Sequence, residues 1–389
     1  MHLADDNIWL VAGIWMTLAV LSAFISIRLK FASALVEIVV GVFAGNLLGL
    51  HGNLWINFVA GFGSIMLTFL AGAQIDGAVL RKQARPAAVI GLLSFLVPFF
   101  AALLYARYAL HWTDNASRIA GIAMSTASVS VVYSVMLESG LAAQDFGQLV
   151  LAACFITDLG TVLALGLLFT RFSLWFAALA IGTGLAMWLA PRLLRTTYAR
   201  VGDRVSQPVL RLIFAILLIL SALATFAKSD GVVVLPSYFL GLACAGFLAS
   251  NRVIAQQLRS MTLSLLTPFY FLRAGTFVSF AAAWTGAAGI AAFVVVKVIA
   301  KVAGVWPFAR AFGYGAREAN YLTMMMTTGL TFGTISSLYG LTHHDISDGQ
   351  YSVLVTVVIL TAVLPALLGQ VLLSPRPHLK SIKHDAEAA

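Results

Sequence analysis

Five ionisable side chains sit where a chain can hardly bear them, inside long apolar runs. Of fifteen Asp and Glu, only Glu37 and Asp158 fall well inside such a run, and of twenty-four Lys and Arg only Arg273, Lys297 and Lys301 do. In hydrocarbon each such group needs a partner, a water-filled cavity or a role. Any chemistry must therefore come from this small set. Asp158 lies midway along Cys154-Phe155-Ile156-Thr157-Asp158-Leu159-Gly160-Thr161. Gly160 with Thr157 and Thr161 leaves room for water or a close backbone. A carboxylate can hold a proton or a dehydrated alkali cation, but not both, and that competition suffices to trade one for the other. The plainer role for Asp158 is pairing with an intramembrane cation to hold helices together.

The run Ser125-Thr126-Ala127-Ser128-Val129-Ser130 packs hydroxyls into an otherwise apolar stretch, and Thr327, Thr328, Gly329 and Thr331 match it later. In a broken helix, carbonyls and hydroxyls can replace a cation's hydration shell; in an unbroken one, small residues simply allow close packing. Lys297 and Lys301 are four apart and share a helix face. A buried lysine can carry a proton or serve as counter-ion to Asp158, whereas one near a membrane surface would snorkel to it. Arg273 keeps its proton, so an electrostatic or structural role fits it, and Glu37 suits bracing of neighbouring backbone. His343, His344, Asp345 and Asp348 sit in an outer loop, where residues of these types can bind a metal or sense pH, but solvated loop residues are the plainer reading. No phosphate-binding glycine loop and no nucleophile paired with histidine occurs within the runs, so neither an enzyme nor a cofactor is expected.

The elements that must hold these residues follow from composition. The 389 residues are 61% hydrophobic and only 10% charged, with mean hydropathy +0.95, against about 25% charged in soluble domains. The apolar runs have the roughly 20-residue length that crosses a bilayer as a helix, and none alternates as a barrel strand would. Thirteen spans are predicted, at about 8–27, 33–50, 55–74, 86–106, 117–137, 146–170, 172–191, 208–227, 232–250, 261–279, 282–308, 318–340 and 351–373. With the N-terminus outside, 17 Lys and Arg fall in inner loops and 4 in outer loops, which orients the bundle N-out and C-in in a cell inner membrane. The net charge of +9 is thus a topology signal and not a nucleic-acid surface. Asp5 and Asp6 before the first run argue for its retention rather than its removal as a signal peptide. Cys154 and Cys244 are core residues. The chain is expected to form one transmembrane transport domain over 1–374, with a short cytoplasmic tail over 375–389. Met124-Ser125-Thr126-Ala127-Ser128 and Met326-Thr327-Thr328-Gly329-Leu330 lie seven spans apart, hence with opposite directions, as inverted repeats of secondary transporters require.

These residues resemble the monovalent cation:proton antiporter superfamily, in the branch with NapA-type sodium/proton antiporters and Kef-type membrane domains. The likeness covers nearly the whole chain. It is carried by Glu37-Ile38-Val39-Val40-Gly41-Val42-Phe43-Ala44-Gly45, Phe69-Leu70-Ala71-Gly72-Ala73, the Ser/Thr stretch with Glu138-Ser139-Gly140-Leu141, Asp158, Pro268-Phe269-Tyr270-Phe271 and Lys301-Val302-Ala303-Gly304. The resemblance implies an all-α antiporter fold of the NhaA/NapA kind and a homodimer, with dimerisation helices interleaved with a mobile core whose fifth and twelfth spans are broken and cross. It implies exchange of Na⁺, K⁺ or Li⁺ for protons across the bilayer. The ion ligands would be Asp158, Thr157, Ser128, Thr126 and Ala127, with Lys301 coupling charge and Glu37, Arg273, Thr328 and Thr327 in support. Relatives carry Asp-Asp or Asn-Asp where this chain reads Thr157-Asp158. With one titratable carboxylate at the site, charge counting favours electroneutral exchange. Two other activities fit the same polar spans: a gated cation channel, and an organic-anion symporter on a related fold.

Overall fold

The computed structural model describes residues 7–29, 33–50, 52–73, 84–129, 132, 136, 141, 144–169, 174–202, 207–226 and 234–369. Ser130, Glu138-Ser139-Gly140 and the expected 375–389 tail lie outside them, as do several of the loop cations counted above. Among the described residues the chain is helical throughout: α1 (Ile8–Leu29), α2 (Ser33–Leu48), α3 (Leu54–Ala73), α4 (Ala84–Leu104), α5 (Asp114–Ser125), α6 (Asp145–Phe169), α7 (Leu174–Val201), α8 (Pro208–Phe226), α9 (Val234–Ser250), α10 (Arg252–Met261), α11 (Thr267–Thr276), α12 (Phe280–Thr285), α13 (Ala287–Ala311), α14 (Ala316–Thr327), α15 (Thr331–Thr342) and α16 (Asp348–Leu368). Seven of these helices are long and apolar enough to cross a membrane. Large apolar side chains stand exposed along the outside, among them Phe24, Ile27, Ile181, Trp188 and Ile219. A water-soluble monomer would bury such surface, so this is an all-α polytopic membrane protein.

Each expected span has its helix or helix pair, with two differences. α10 occupies a stretch expected to be an inner loop. It is amphipathic, with Ile254 and Leu258 buried and its arginines exposed, so it gives no continuous apolar run and escapes a search for spans. It enters the tenth span through a π turn over Thr262–Leu266, just ahead of Pro268. Proline has no N–H to give, so the hydrogen-bond ladder must reset there. The eleventh span is also divided, Gly286 ending α12 and beginning α13.

The bundle has two parts. In one, α2 packs on α11 and α3 on α9. These contacts are backbone to backbone: a Cβ on Gly41 would lie 2.2 Å from Leu272 O and one on Gly275 2.1 Å from Ile38 O; on Gly72 it would lie 2.1 Å from Tyr238 O and on Gly241 2.0 Å from Phe69 O. Small residues let membrane helices approach this closely, gaining dispersion contacts where lipid removes the hydrophobic drive. In the other part α4 packs on α5, α6 and α13, α5 on α15, and α16 on α13 and α15.

The repeat predicted from two pentapeptides extends through this second part. α5 and α6 begin at residues 114 and 145, and α14 and α16 begin at 316 and 348, so each start recurs 202 to 203 residues later. α5 and α14 are both 12 residues long. Each stops in extended backbone, Thr126 at φ −63°, ψ 152° and Thr328 at φ −69°, ψ 109°. Both breaks fall at the hydroxyl-rich segments singled out in the sequence.

Candidate functional site

The two breaks touch. A Cβ on Gly329 would lie 2.3 Å from Thr126 Oγ1, 2.8 Å from Thr126 O and 2.9 Å from Lys297 Nζ, so only glycine fits there. Thr126, Ala127, Ser128, Thr327 and Thr328 are all buried at this crossing. Several hydroxyls turn back on their own helices: Thr126 Oγ1 donates to Ala123 O at 3.1 Å, Thr327 Oγ1 to Thr323 O at 2.7 Å and Thr328 Oγ1 to Met325 O at 2.6 Å. Their hydrogens are thereby used while oxygen lone pairs stay available, as cation ligation requires.

Asp158 comes from the unbroken α6 and is 3% exposed. Among the described residues its Oδ1 has no hydrogen-bond partner. A buried unsatisfied carboxylate oxygen is costly and persists where it has something to bind. One turn earlier Cys154 touches Met326 of α14, Sγ to Sδ 3.5 Å, and Tyr238 of α9 donates to Phe155 O at 3.4 Å. Thr157 faces elsewhere. Its hydroxyl is within 3.0 Å of both Gly91 O on α4 and Ala153 O, tying α6 to α4. The space anticipated beside Gly160 is taken by the Phe95 ring, whose Cγ would lie 2.9 Å from a Cβ there.

Lys301 is the charged neighbour of Asp158, but among the described residues the two make no ion pair. Its ammonium donates instead to Ser94 O at 2.8 Å, Ser94 Oγ at 2.9 Å and Ser125 O at 2.7 Å. Three oxygens accept its three hydrogens. Ser125 is the last residue of α5, so the cation also sits on the negative end of that helix. Lys297 is fully buried and donates to Thr361 Oγ1 of α16 at 2.9 Å, so it does not snorkel. Sequence reasoning missed Ser94, Thr361 and Tyr238, single polar residues in apolar runs that only their partners distinguish.

Glu37 and Arg273 stand apart from this cluster. Glu37 is buried in α2 with Oε2 unpartnered among the described residues, so the bracing contact expected of it is not seen there at that oxygen. Arg273 stacks over the Phe277 ring at 5.2 Å beside Gly52, at the end of α11. His343 stacks on Tyr339 with ring centroids 4.0 Å apart, and Asp345 accepts from Asn115 at 2.6 Å. The first is a contact within the end of α15, and the second ties the loop after α15 to the start of α5.

The arrangement is a buried carboxylate and two buried ammonium groups around a crossing of broken helices. Known proteins share the fold that holds it. The chain is similar over 93% of its length to the sodium proton antiporter MjNhaP1 of Methanocaldococcus jannaschii, with a TM-score of 0.72, 14% identity and 97% of that chain covered. By sequence it is 23% identical over 367 residues to a Na(+)/H(+) antiporter of Enterococcus hirae, covering 90% of this chain and 93% of that one. It is 31% identical over 128 residues to a probable Na(+)/H(+) antiporter 3 of M. jannaschii, an alignment spanning 33% of this chain and 32% of the relative. The family described as sodium/hydrogen exchanger, transmembrane, matches residues 16–373. The chain belongs to that sodium/hydrogen exchanger family.

Proposed function

We propose that this protein is a secondary antiporter that trades a monovalent cation, Na⁺ or K⁺, for a proton, with Asp158 holding the two in turn. The observation that carries the assignment of the site is the buried Oδ1 of Asp158, unpartnered among the described residues, on a helix that packs against α5, whose break is lined with carbonyl and hydroxyl oxygens. Thr126, Ser128 and the carbonyl of Ala127 are the proposed neutral ligands; Thr157 contributes by fixing α6 against α4. Glu37, Arg273, Thr327 and Thr328 support the surrounding helices.

The three accepted hydrogens of Lys301 favour a lysine that keeps its proton and braces α5. One carboxylate then carries either one proton or one cation, and exchange is electroneutral. Family membership favours this reading over a channel or an organic-anion symporter. The chain is taken to lie in the inner membrane, N-terminus outside and C-terminus in the cytoplasm, as one transport domain over 1–374 with a tail over 375–389, and to pair as a homodimer.

The test is Asp158→Asn in proteoliposomes with a fluorescent pH probe, adding Na⁺, K⁺ or Li⁺. Asparagine keeps the shape but cannot alternate between proton and cation, so cation-driven proton movement should vanish while folding and dimerisation persist. Near-normal exchange by that variant would overturn the assignment.

A further inference from the structure

The offset of 202 to 203 residues that relates the two halves of the core also relates the residues at its centre. Ser94 of α4 corresponds to Lys297 of α13, and Asp158 of α6 corresponds to Thr361 of α16. In the first half a hydroxyl and a carboxylate occupy these two places; in the second half an ammonium and a hydroxyl do. The charge has changed sign and moved to the other helix.

Where the first break faces a carboxylate, the second faces Lys297. Its Nζ lies 2.9 Å from the place a Cβ of Gly329 would take and 2.9 Å from Thr361 Oγ1. Thr361 passes its own hydrogen to Val357 O at 2.8 Å, so its oxygen is committed as the acceptor for the ammonium. Among the described residues no carboxylate pairs with Lys297. We propose that Lys297 is a positioning residue that fills the α14–α15 break as a built-in cation and pins it to α16, so that only the α5 break is open to the transported ion. Two broken helices in inverted repeats would otherwise offer two similar nests of oxygens. Here a tethered ammonium, whose donors take oxygen partners much as an alkali ion does, holds the second one shut. It also places positive charge past the C-terminal end of α14, where the helix dipole favours it. Gly329 keeps the space that the ammonium uses.

The inference rests on Asp158 as the ion carrier, and the experiment separates the two. Binding of radioactive Na⁺ is counted per chain on purified, folded protein, alongside exchange in proteoliposomes. Wild type should bind one cation, and Asp158→Asn none. Binding that survives Asp158→Asn would defeat the carrier assignment. Thr361→Asp alone should still bind one, because Lys297 remains in place and pairs with the new carboxylate. Thr361→Asp combined with Lys297→Gln gives the second half a carboxylate without its ammonium and should bind two, one of them retained when Asp158→Asn is added. One cation in the folded combined variant, or two in Thr361→Asp alone, would overturn the proposal. If the combined variant does not fold, Thr361→Val decides. Releasing Lys297 from α16 should lower the maximal exchange rate while leaving the apparent KM for the cation at Asp158 unchanged; an unaltered rate, or a change in KM alone, would overturn it.

Discussion

Gly329→Ala puts the contact between the two breaks to a direct test. The added methyl would lie 2.3 Å from Thr126 Oγ1, 2.8 Å from Thr126 O and 2.9 Å from Lys297 Nζ, whereas ordinary contacts to carbon lie near 3.5 Å. The threonine hydroxyl could rotate away, but a backbone carbonyl and a buried, tethered ammonium cannot both retreat. The crossing must open by roughly half an ångström or more, and overpacking of this kind costs about 1–3 kcal/mol. At 1.36 kcal/mol per factor of ten, strain expressed in the transport cycle slows exchange by about 5- to 150-fold. The assay is the initial rate of Na⁺-driven proton movement in proteoliposomes, normalised to folded protein. Gly246→Ala serves as control, since nothing lies within 4 Å of its added methyl. A Gly329→Ala rate within about two-fold of wild type, with a normal melting curve, would refute the close crossing as the reason for this glycine.

Thr126→Ala and Ser128→Ala should each raise the apparent KM for the cation with a smaller effect on maximal rate; an unchanged KM in both would return these residues to helix packing. Gly241→Ala should lower thermal stability in detergent by about 1–3 kcal/mol, because the methyl would meet Phe69 O at 2.0 Å, and a melting curve like that of wild type would contradict the α3–α9 contact. Tyr351→Phe removes a buried bond to Ala274 O of 2.7 Å and should cost about 1 kcal/mol of stability, checked by the same melts. Exchange should be indifferent to a K⁺/valinomycin potential imposed on vesicles with a Na⁺ gradient. A rate that follows the potential would reject one-for-one exchange, and loss of that dependence in Lys301→Gln would assign the extra charge to Lys301.

Much of this architecture was legible because a bilayer leaves few solutions. A spanning segment must satisfy its own backbone and cover itself with apolar side chains, so the helices and the very few intramembrane charges stand out in one dimension. The same rule made the hydroxyl-rich segments near Thr126 and Thr328 conspicuous, and both proved to be helix breaks. α10 was hidden for the complementary reason: its amphipathic pattern carries no long apolar run.

Partnership was decided only in three dimensions. Whether Lys301 meets Asp158 or Ser94 and Ser125, whether Lys297 reaches a surface or Thr361, and which way the Thr157 hydroxyl turns all depend on helix rotation and on contacts between residues 64 to 207 positions apart. Such contacts are short-ranged and directional, while the hydrophobic pattern that sets the spans is neither. The chain alone therefore determines where the apolar spans fall and which groups are too costly to be idle; the packed bundle determines which oxygen each of those groups receives.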